Sequence, residues 1–408
     1  MTTIRVNPRQ LVLAIASAAD LVGVDDKSHG KRVAIMAKEC GKVLGLAPDR
    51  CEMLYEAGLL HDCGVSSTRT HRSLITELDW AGSRDHCERG YAVLAEFRPL
   101  SHLADIVRYH HTHWDELQGV LVGSEDALFA NLIYLVDRVD MLAAPYYPGA
   151  CHLFHTEEIR RRVAGYAGSY FCPRLVEAFL EVARNDAFWL LLTPEATGTY
   201  VRRMAASDGQ AALTLEDLRR FAAIFANIVD AKSPYTKEHS EGVARLSRLL
   251  GSLSGLGTSD CDKLEIAALL HDIGKLQVPD EILEKPSSLD ARETTVMRAH
   301  SFATFEILRP IEGIEDIAEW AAHHHEAIDG SGYPFGVTGE ALSLQARIIR
   351  VADIFQAMAQ VRPYRVASEP AAILAYLVEL AAAGKVDRGI VALLQQNLDA
   401  CHLAATAG

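Results

Sequence analysis

Apolar residues recur along this chain at helical rather than strand intervals. His239, Val243, Leu246 and Leu250 stand four, seven and eleven residues apart, which stacks them on one helix face with the histidine at its end. His29, Val33, Met36 and Cys40 repeat that spacing, so both histidines are expected to point inward. Aliphatic and alanine-rich runs such as Ala371-Ala372-Ile373-Leu374 and Ala381-Ala382-Ala383 are common, aromatics are sparse, and alternating β-branched stretches are scarce. The pattern predicts an all-α chain. Its 408 residues suit two or three domains, each able to bury its own core.

A shift of 210 residues lays the sequence over itself. Leu11 to Asp20 falls on Phe221 to Asp230, two apolar helices that each end in aspartate. His29 falls on His239, and His61-Asp62 falls on His271-Asp272, 32 residues from the first histidine to the pair in both halves. His86 answers to His300, and His110-His111 to His324-His325, with 24 residues between these landmarks each time. Asp137 then answers to Asp353. A repeat of this length is a duplicated domain rather than a solenoid period. The polar stretch Ser207-Asp208-Gly209-Gln210 has loop composition, so the expected units are 1–206 and 215–408, with 207–214 as linker.

Charge and cysteine content narrow the function. The net charge is -14 and no long basic run is present, which argues against polymeric nucleic acid as partner. A small anionic substrate fits if metal ions or arginines reverse the local field. The eight cysteines include no CxxC pair, as expected of reduced thiols in a cytoplasmic protein. Arg5 and Arg9 before the apolar Leu11–Ala16 run imitate a weak signal peptide. The recurrence of that run inside the chain argues against it, and no other run is suited to spanning a bilayer.

Each half brings five histidines and two aspartates to inward-facing positions, and ten of the seventeen histidines belong to these sets. A single inward histidine is more often a hydrogen-bonded core residue than a ligand. A core explanation does not account for the same seven residues appearing twice at nearly the same intervals. Imidazole and carboxylate donors without cysteine suit iron, manganese, zinc or related ions and argue against a structural zinc site. Seven ligands exceed the need of one ion, so two are expected per set, bridged by the aspartate of the His-Asp pair. Two ions about 3.5–4 Å apart can share a hydroxide and clamp a phosphate.

His239, His271-Asp272, His300, His324-His325 and Asp353 resemble the HD superfamily of metal-dependent phosphohydrolases. The C-terminal half adds His271-Asp272-Ile273-Gly274-Lys275, the run His324-His325-Glu326-Ala327-Ile328-Asp329-Gly330-Ser331-Gly332-Tyr333-Pro334, and Arg362-Pro363-Tyr364-Arg365. Together these resemble the HD-GYP subfamily, whose members degrade cyclic di-GMP and in some cases cyclic GMP-AMP. The resemblance covers about residues 215–408 and implies two tandem HD-type helical bundles with the phosphodiesterase in the second. It implies one ion held by His239, His271, Asp272 and Asp353, and another by Asp272, His300, His324 and His325, iron or manganese being expected. Some members hold a third ion through a glutamate four residues before the first histidine; Tyr235 stands there, so two ions are expected. Lys275 would stabilise charge on the phosphate, while Arg362, Arg365 and Tyr333 would hold the nucleotide. The Gly-Tyr-Pro loop would either pack on a base, brace the site or meet signalling partners. Many relatives carry aspartate three residues after the last ligand, where this chain has Gln356.

The N-terminal set of His29, His61, Asp62, His86, His110, His111 and Asp137 is complete, and Asp25 stands where a third ion could be held. Yet Val65 replaces the lysine, Glu116-Leu117-Gln118-Gly119 replaces the loop, and Pro145, Tyr146 and Tyr147 stand in the arginine region. This half is expected to bind metal without recognising a cyclic dinucleotide. It would be a regulatory domain, a hydrolase of a different phosphate ester, or a structural module. Two rivals stand for the whole chain: a phosphohydrolase of another nucleotide, and a receptor that binds a cyclic dinucleotide without cutting it. The expected product is a linear dinucleotide, with mononucleotide beyond it, and a homodimer is expected. The substrate base, metal, input signal and N-terminal activity stay open at this level.

Overall fold

The computed structural model of the chain describes residues 3–22, 28–65, 67–80, 82–120, 124–206, 211–232, 239–361 and 366–407. Their architecture is helical, and the chain divides into two compact units, Leu11–Gly209 and Met1–Gln10 with Gln210–Gly408.

The repeat seen in sequence is a repeat of helices. His29–Val43 corresponds to His239–Leu253, Pro48–Leu60 to Thr258–Leu270, Ser83–Ala95 to Ala291–Leu308, and Glu125–Ala143 to Leu344–Ala359. Local signals start these elements. Pro48 opens one helix, where its missing N–H costs nothing, and Asp290 and Glu293 form a capping box at another. Ser124 and Ser343 cap the two helices that carry Asp137 and Asp353 by accepting from the amides of Ala127 and Ala346. Glu125–Ala143 is buried on nearly every side, so it serves as the central strut of its unit. The stripes Val33-Met36-Cys40 and Val243-Leu246-Leu250 are fully buried, with His29 and His239 at their inner ends.

Among the described residues two short strands interrupt the helical pattern. Thr3–Val6 pairs antiparallel with Ala211–Thr214, in the register Thr3 with Thr214 and Val6 with Ala211. The first residues therefore pack with the second unit, whereas the sequence reading assigned them to 1–206, and half of the expected linker is a strand. Thr214 then starts Leu215–Lys232 through reciprocal hydrogen bonds with Asp217. Ser207-Asp208-Gly209-Gln210 lies outside the described residues. Seven of the eight cysteines are buried free thiols, and Cys151 is exposed. Among the described residues no helix is long and apolar enough to cross a membrane.

Candidate metal centres

Each His-Asp pair sits where a thirteen-residue helix stops. His61 and His271 are the C-cap residues of Pro48–Leu60 and Thr258–Leu270. The glycine two residues beyond the aspartate lets the following turn lie on the helix that supplies the next histidine. A Cβ on Gly274 would stand 1.9 Å from the His300 carbonyl oxygen, and one on Gly64 2.0 Å from that of His86. Only glycine permits that approach, which brings the pair to the next ligand.

The seven C-terminal residues converge. His239, His271 and Asp353 form one group, His300, His324 and His325 another, and Asp272 lies between them. Asp272 divides its oxygens. Oδ2 is 3.2 Å from His271 Nε2 and 3.6 Å from His239 Nε2, while Oδ1 is 3.5 Å from His300 Nε2 and 3.8 Å from His324 Nε2. The N-terminal set does the same. Asp62 Oδ2 faces His61 and His29 at 3.5 and 3.7 Å, and Oδ1 faces His86 and His110 at 3.4 and 3.9 Å. His111 and Asp137 complete it, with His29 Nε2 3.3 Å from Asp137 Oδ1.

The donors fit divalent cations. His271, His300 and His324 each donate Nδ1–H to the carbonyl three residues earlier, at 2.6 to 2.7 Å. A carbonyl only accepts, so the proton is on Nδ1 and the Nε2 lone pair faces the centre, as in histidines that bind metal. His61 and His110 are held likewise by Gly58 and Val107. His271 Nε2, Asp272 Oδ1 and Asp62 Oδ1 are buried without a hydrogen-bond partner, a costly arrangement for a site meant to stay empty. Burial pushes the pKa of His300 down to about 4 and that of His110 to about 3, so these rings are neutral near neutral pH, the form that can accept a cation. Burial opposes ionisation of Asp272, but His271 and Lys275 hold its carboxyl well below the usual range.

Around the C-terminal centre, Lys275 Nζ lies 2.5 Å from Asp272 Oδ2. Tyr333 tilts against the His325 ring with centroids 4.8 Å apart, and the Arg298 guanidinium lies 4.5 Å from the Tyr333 centroid. The Gly-Tyr-Pro loop is held from below by Glu326, whose buried carboxylate accepts from the amides of Phe335, Gly336 and Val337. Gly332 is required there, since a Cβ would meet the Ala327 nitrogen at 2.3 Å. Arg362, Arg365, Tyr235 and Asp25 lie outside the described residues. In the N-terminal unit Val65 is buried, and Glu116 to Gly119 belong to the helix Trp114–Val120 rather than to a loop.

Sequence reasoning missed the residues behind the ligands. Buried Asp140 and Arg32, with half-buried Tyr147, form a cluster on His29, and Arg138 donates to Asp137 at 2.7 Å. The position of Asp140, three residues after Asp137, matches that of Gln356 after Asp353 and was legible. Glu326 and Arg298 carried no signal apart from their neighbours.

Comparison with known proteins agrees with this geometry. HD-domain family models match residues 27–142 and 223–390. The 3'3'-cGAMP-specific phosphodiesterase 1 of Vibrio cholerae is 36% identical over 399 residues, covering 96% of this chain and 92% of that protein. The cyclic di-GMP phosphodiesterase response regulator RpfG of Xanthomonas campestris is 36% identical over 191 residues, 43% of this chain and 50% of that protein. A crystal structure of a cyclic GMP-AMP-specific phosphodiesterase of Vibrio cholerae matches with a TM-score of 0.66 at 26% identity, covering 98% of both chains. With two metal-ready HD units and a relative aligned along nearly its whole length, the chain belongs to the HD-GYP-type family of two-HD-domain cyclic dinucleotide phosphodiesterases.

Proposed function

We propose that the C-terminal unit hydrolyses a 3',5'-cyclic dinucleotide, with cyclic GMP-AMP as the first substrate to test and cyclic di-GMP as the second. The observation that carries this reading is the division of the Asp272 oxygens between two histidine clusters. The substrate order rests on the relatives. Two relatives matched over 96% and 69% of the chain are named for cyclic GMP-AMP, whereas two named for cyclic di-GMP are matched over 62% and 43% of it.

In this reading His239, His271, Asp272 and Asp353 hold one ion, and Asp272, His300, His324 and His325 a second, both iron or manganese. Ions held there supply the Lewis acidity that makes water nucleophilic at neutral pH and offsets phosphate charge. The protein's own groups do the rest. Asp272 and Asp353 stay ionised, and the Nδ1–H bonds hold the rings in the ligating tautomer. Lys275, beside the shared carboxylate, meets the anionic phosphate. Tyr333, fixed by His325 and the Glu326-braced loop, offers a face against which the nucleotide packs, and Arg362 and Arg365 bind guanine edges or phosphate. The first cut gives a linear dinucleotide and a second cut mononucleotides. The N-terminal unit holds ions through His29, His61, Asp62, His86, His110, His111 and Asp137 without the lysine or the loop. Cytoplasmic location, a homodimer and protein partners at the exposed Phe302 and Phe335 beside the loop belong to the same reading.

Anaerobic hydrolysis of both cyclic dinucleotides by iron- or manganese-loaded protein tests it, beside the variant His271→Ala/Asp272→Ala. Cleavage by the wild type and none by the variant is expected. If fully metallated wild type cleaves neither, the chain acts on another phosphoester or only binds the dinucleotide.

A further inference from the structure

The two centres share their seven ligands but differ in what stands behind the first histidine. In the N-terminal unit His29 donates Nδ1–H to Asp140 Oδ2 at 2.8 Å. Arg32 closes on the same carboxylate from Nε at 2.7 Å and from Nη2 at 2.8 Å, and the Tyr147 hydroxyl donates to Oδ1 at 2.6 Å. The Arg32 guanidinium also lies 4.2 Å from the Tyr147 ring centroid. Asp140 is thus a buried anion with its charge matched and both oxygens bonded.

The corresponding positions of the C-terminal unit, three residues after the first histidine and three after the last aspartate, are Gly242 and Gln356. His239 donates Nδ1–H to Gln356 Oε1 at 2.5 Å. No arginine fits beside it. A Cβ on Gly242 would stand 2.4 Å from the Ala405 carbonyl oxygen and 2.8 Å from Gln356 Cγ, so the helix Leu398–Thr406 closes the space. A carboxylate at 356 would be buried without that balancing cation, which is destabilising; the neutral amide avoids this. Each centre also has one cation on a ligand carboxylate, Arg138 on Asp137 and Lys275 on Asp272. These cations act on different ligands, since Ile354 stands where the N-terminal unit has Arg138 and Val65 where the C-terminal unit has Lys275, so substitution at 140 and 356 is needed to isolate the group behind the first histidine.

We propose that Asp140 and Gln356 are positioning residues that give the two centres unequal hold on metal: the His29 centre keeps its ion, and the His239 centre releases and exchanges its own. A carboxylate behind an imidazole raises its basicity and strengthens it as a ligand, and outer partners of this kind are worth about 10–100-fold in affinity. The C-terminal centre then follows the supply of free metal while the N-terminal one stays loaded. The inference rests on the reading that both units bind divalent ions.

The test uses full-length chains loaded with manganese. His271→Ala/Asp272→Ala leaves the N-terminal centre, and His61→Ala/Asp62→Ala leaves the C-terminal one. Manganese retained per chain is followed by elemental analysis after addition of a chelator. The C-terminal centre should lose its metal about tenfold faster or more. Adding Asp140→Asn to the first chain should speed its loss by a similar factor, and adding Gln356→Glu to the second should slow it. Should the buried Glu prevent folding, the Asp140→Asn result decides alone. Equal rates, an N-terminal centre that holds no manganese, or no effect of Asp140→Asn overturns the inference. Hydrolysis by loaded wild type is read separately, so loss of the phosphodiesterase reading leaves this comparison intact.

Discussion

Lys232 donates Nζ to the carbonyl of Leu276, in the 3-10 turn Ile273–Gln277 that carries Lys275. Burial lowers its pKa to about 8, although Asp280, 3.7 Å away, pulls it upward. An unfolded lysine titrates at about 10.4. The unfolded chain therefore binds this proton more tightly than the folded one, and stability at the site rises with pH between those values. The slope is at most about 1.4 kcal/mol per pH unit. Lys232→Met removes it. In urea unfolding at about pH 7.5 and about pH 9.5, the stability of wild type relative to the variant should shift by about 1–2 kcal/mol in favour of wild type. A difference that does not change with pH would show that Lys232 is uncharged throughout or titrates elsewhere.

Among elements, the decisive contact is that between the turn after the His-Asp pair and the helix bearing the next histidine. Its two halves meet backbone to backbone at Gly274 and His300, and again at Gly64 and His86. Thr304 ties the same pair together by donating to the His271 carbonyl at 3.0 Å and accepting from the Gly274 amide at 3.1 Å. Gly274→Ala should cost about 1–3 kcal/mol through overpacking. It should also move His300 away from Asp272 and lower the metal bound by the C-terminal unit. Melting temperature and metal content read the two effects, and retention of both would mean that the turn relaxes without disturbing the ligand.

The largest departure from the sequence pattern at the scale of the whole molecule is the first strand. Val6 is fully buried, Gln10 Oε1 accepts from the Glu312 amide at 2.9 Å, and Gly313, at φ +92, leaves room for the Arg5 carbonyl. Residues at the start of the chain thus complete the unit that contains the C-terminal centre. Deleting residues 1–6 from the full chain should strip Ala211–Thr214 of its partner and speed amide exchange there. Each kcal/mol lost should lower the melting temperature of that unit by roughly 2–4 °C. Unchanged exchange at 211–214 would show that the pairing contributes nothing in solution.

The sequence by itself determined the helical class, the duplication and the fourteen candidate ligands. Those follow from local periodicity and from rare residue types repeated at fixed intervals, both of which survive in one dimension. It also pointed to the lysine and the loop, through their place beside the His-Asp pair and the double histidine. Only the tertiary structure decided how Asp272 and Asp62 divide their oxygens, that Glu326 bears the loop, and that Asp140 with Arg32 backs His29 whereas an amide backs His239. These are contacts between distant parts of the chain: His29 and Asp140 are 111 residues apart, and His239 and Gln356 117. The repeat marks the positions of Asp140 and Gln356, three residues after the last aspartate, but not their histidine partners, because that match is made by burial and charge after the helices have packed.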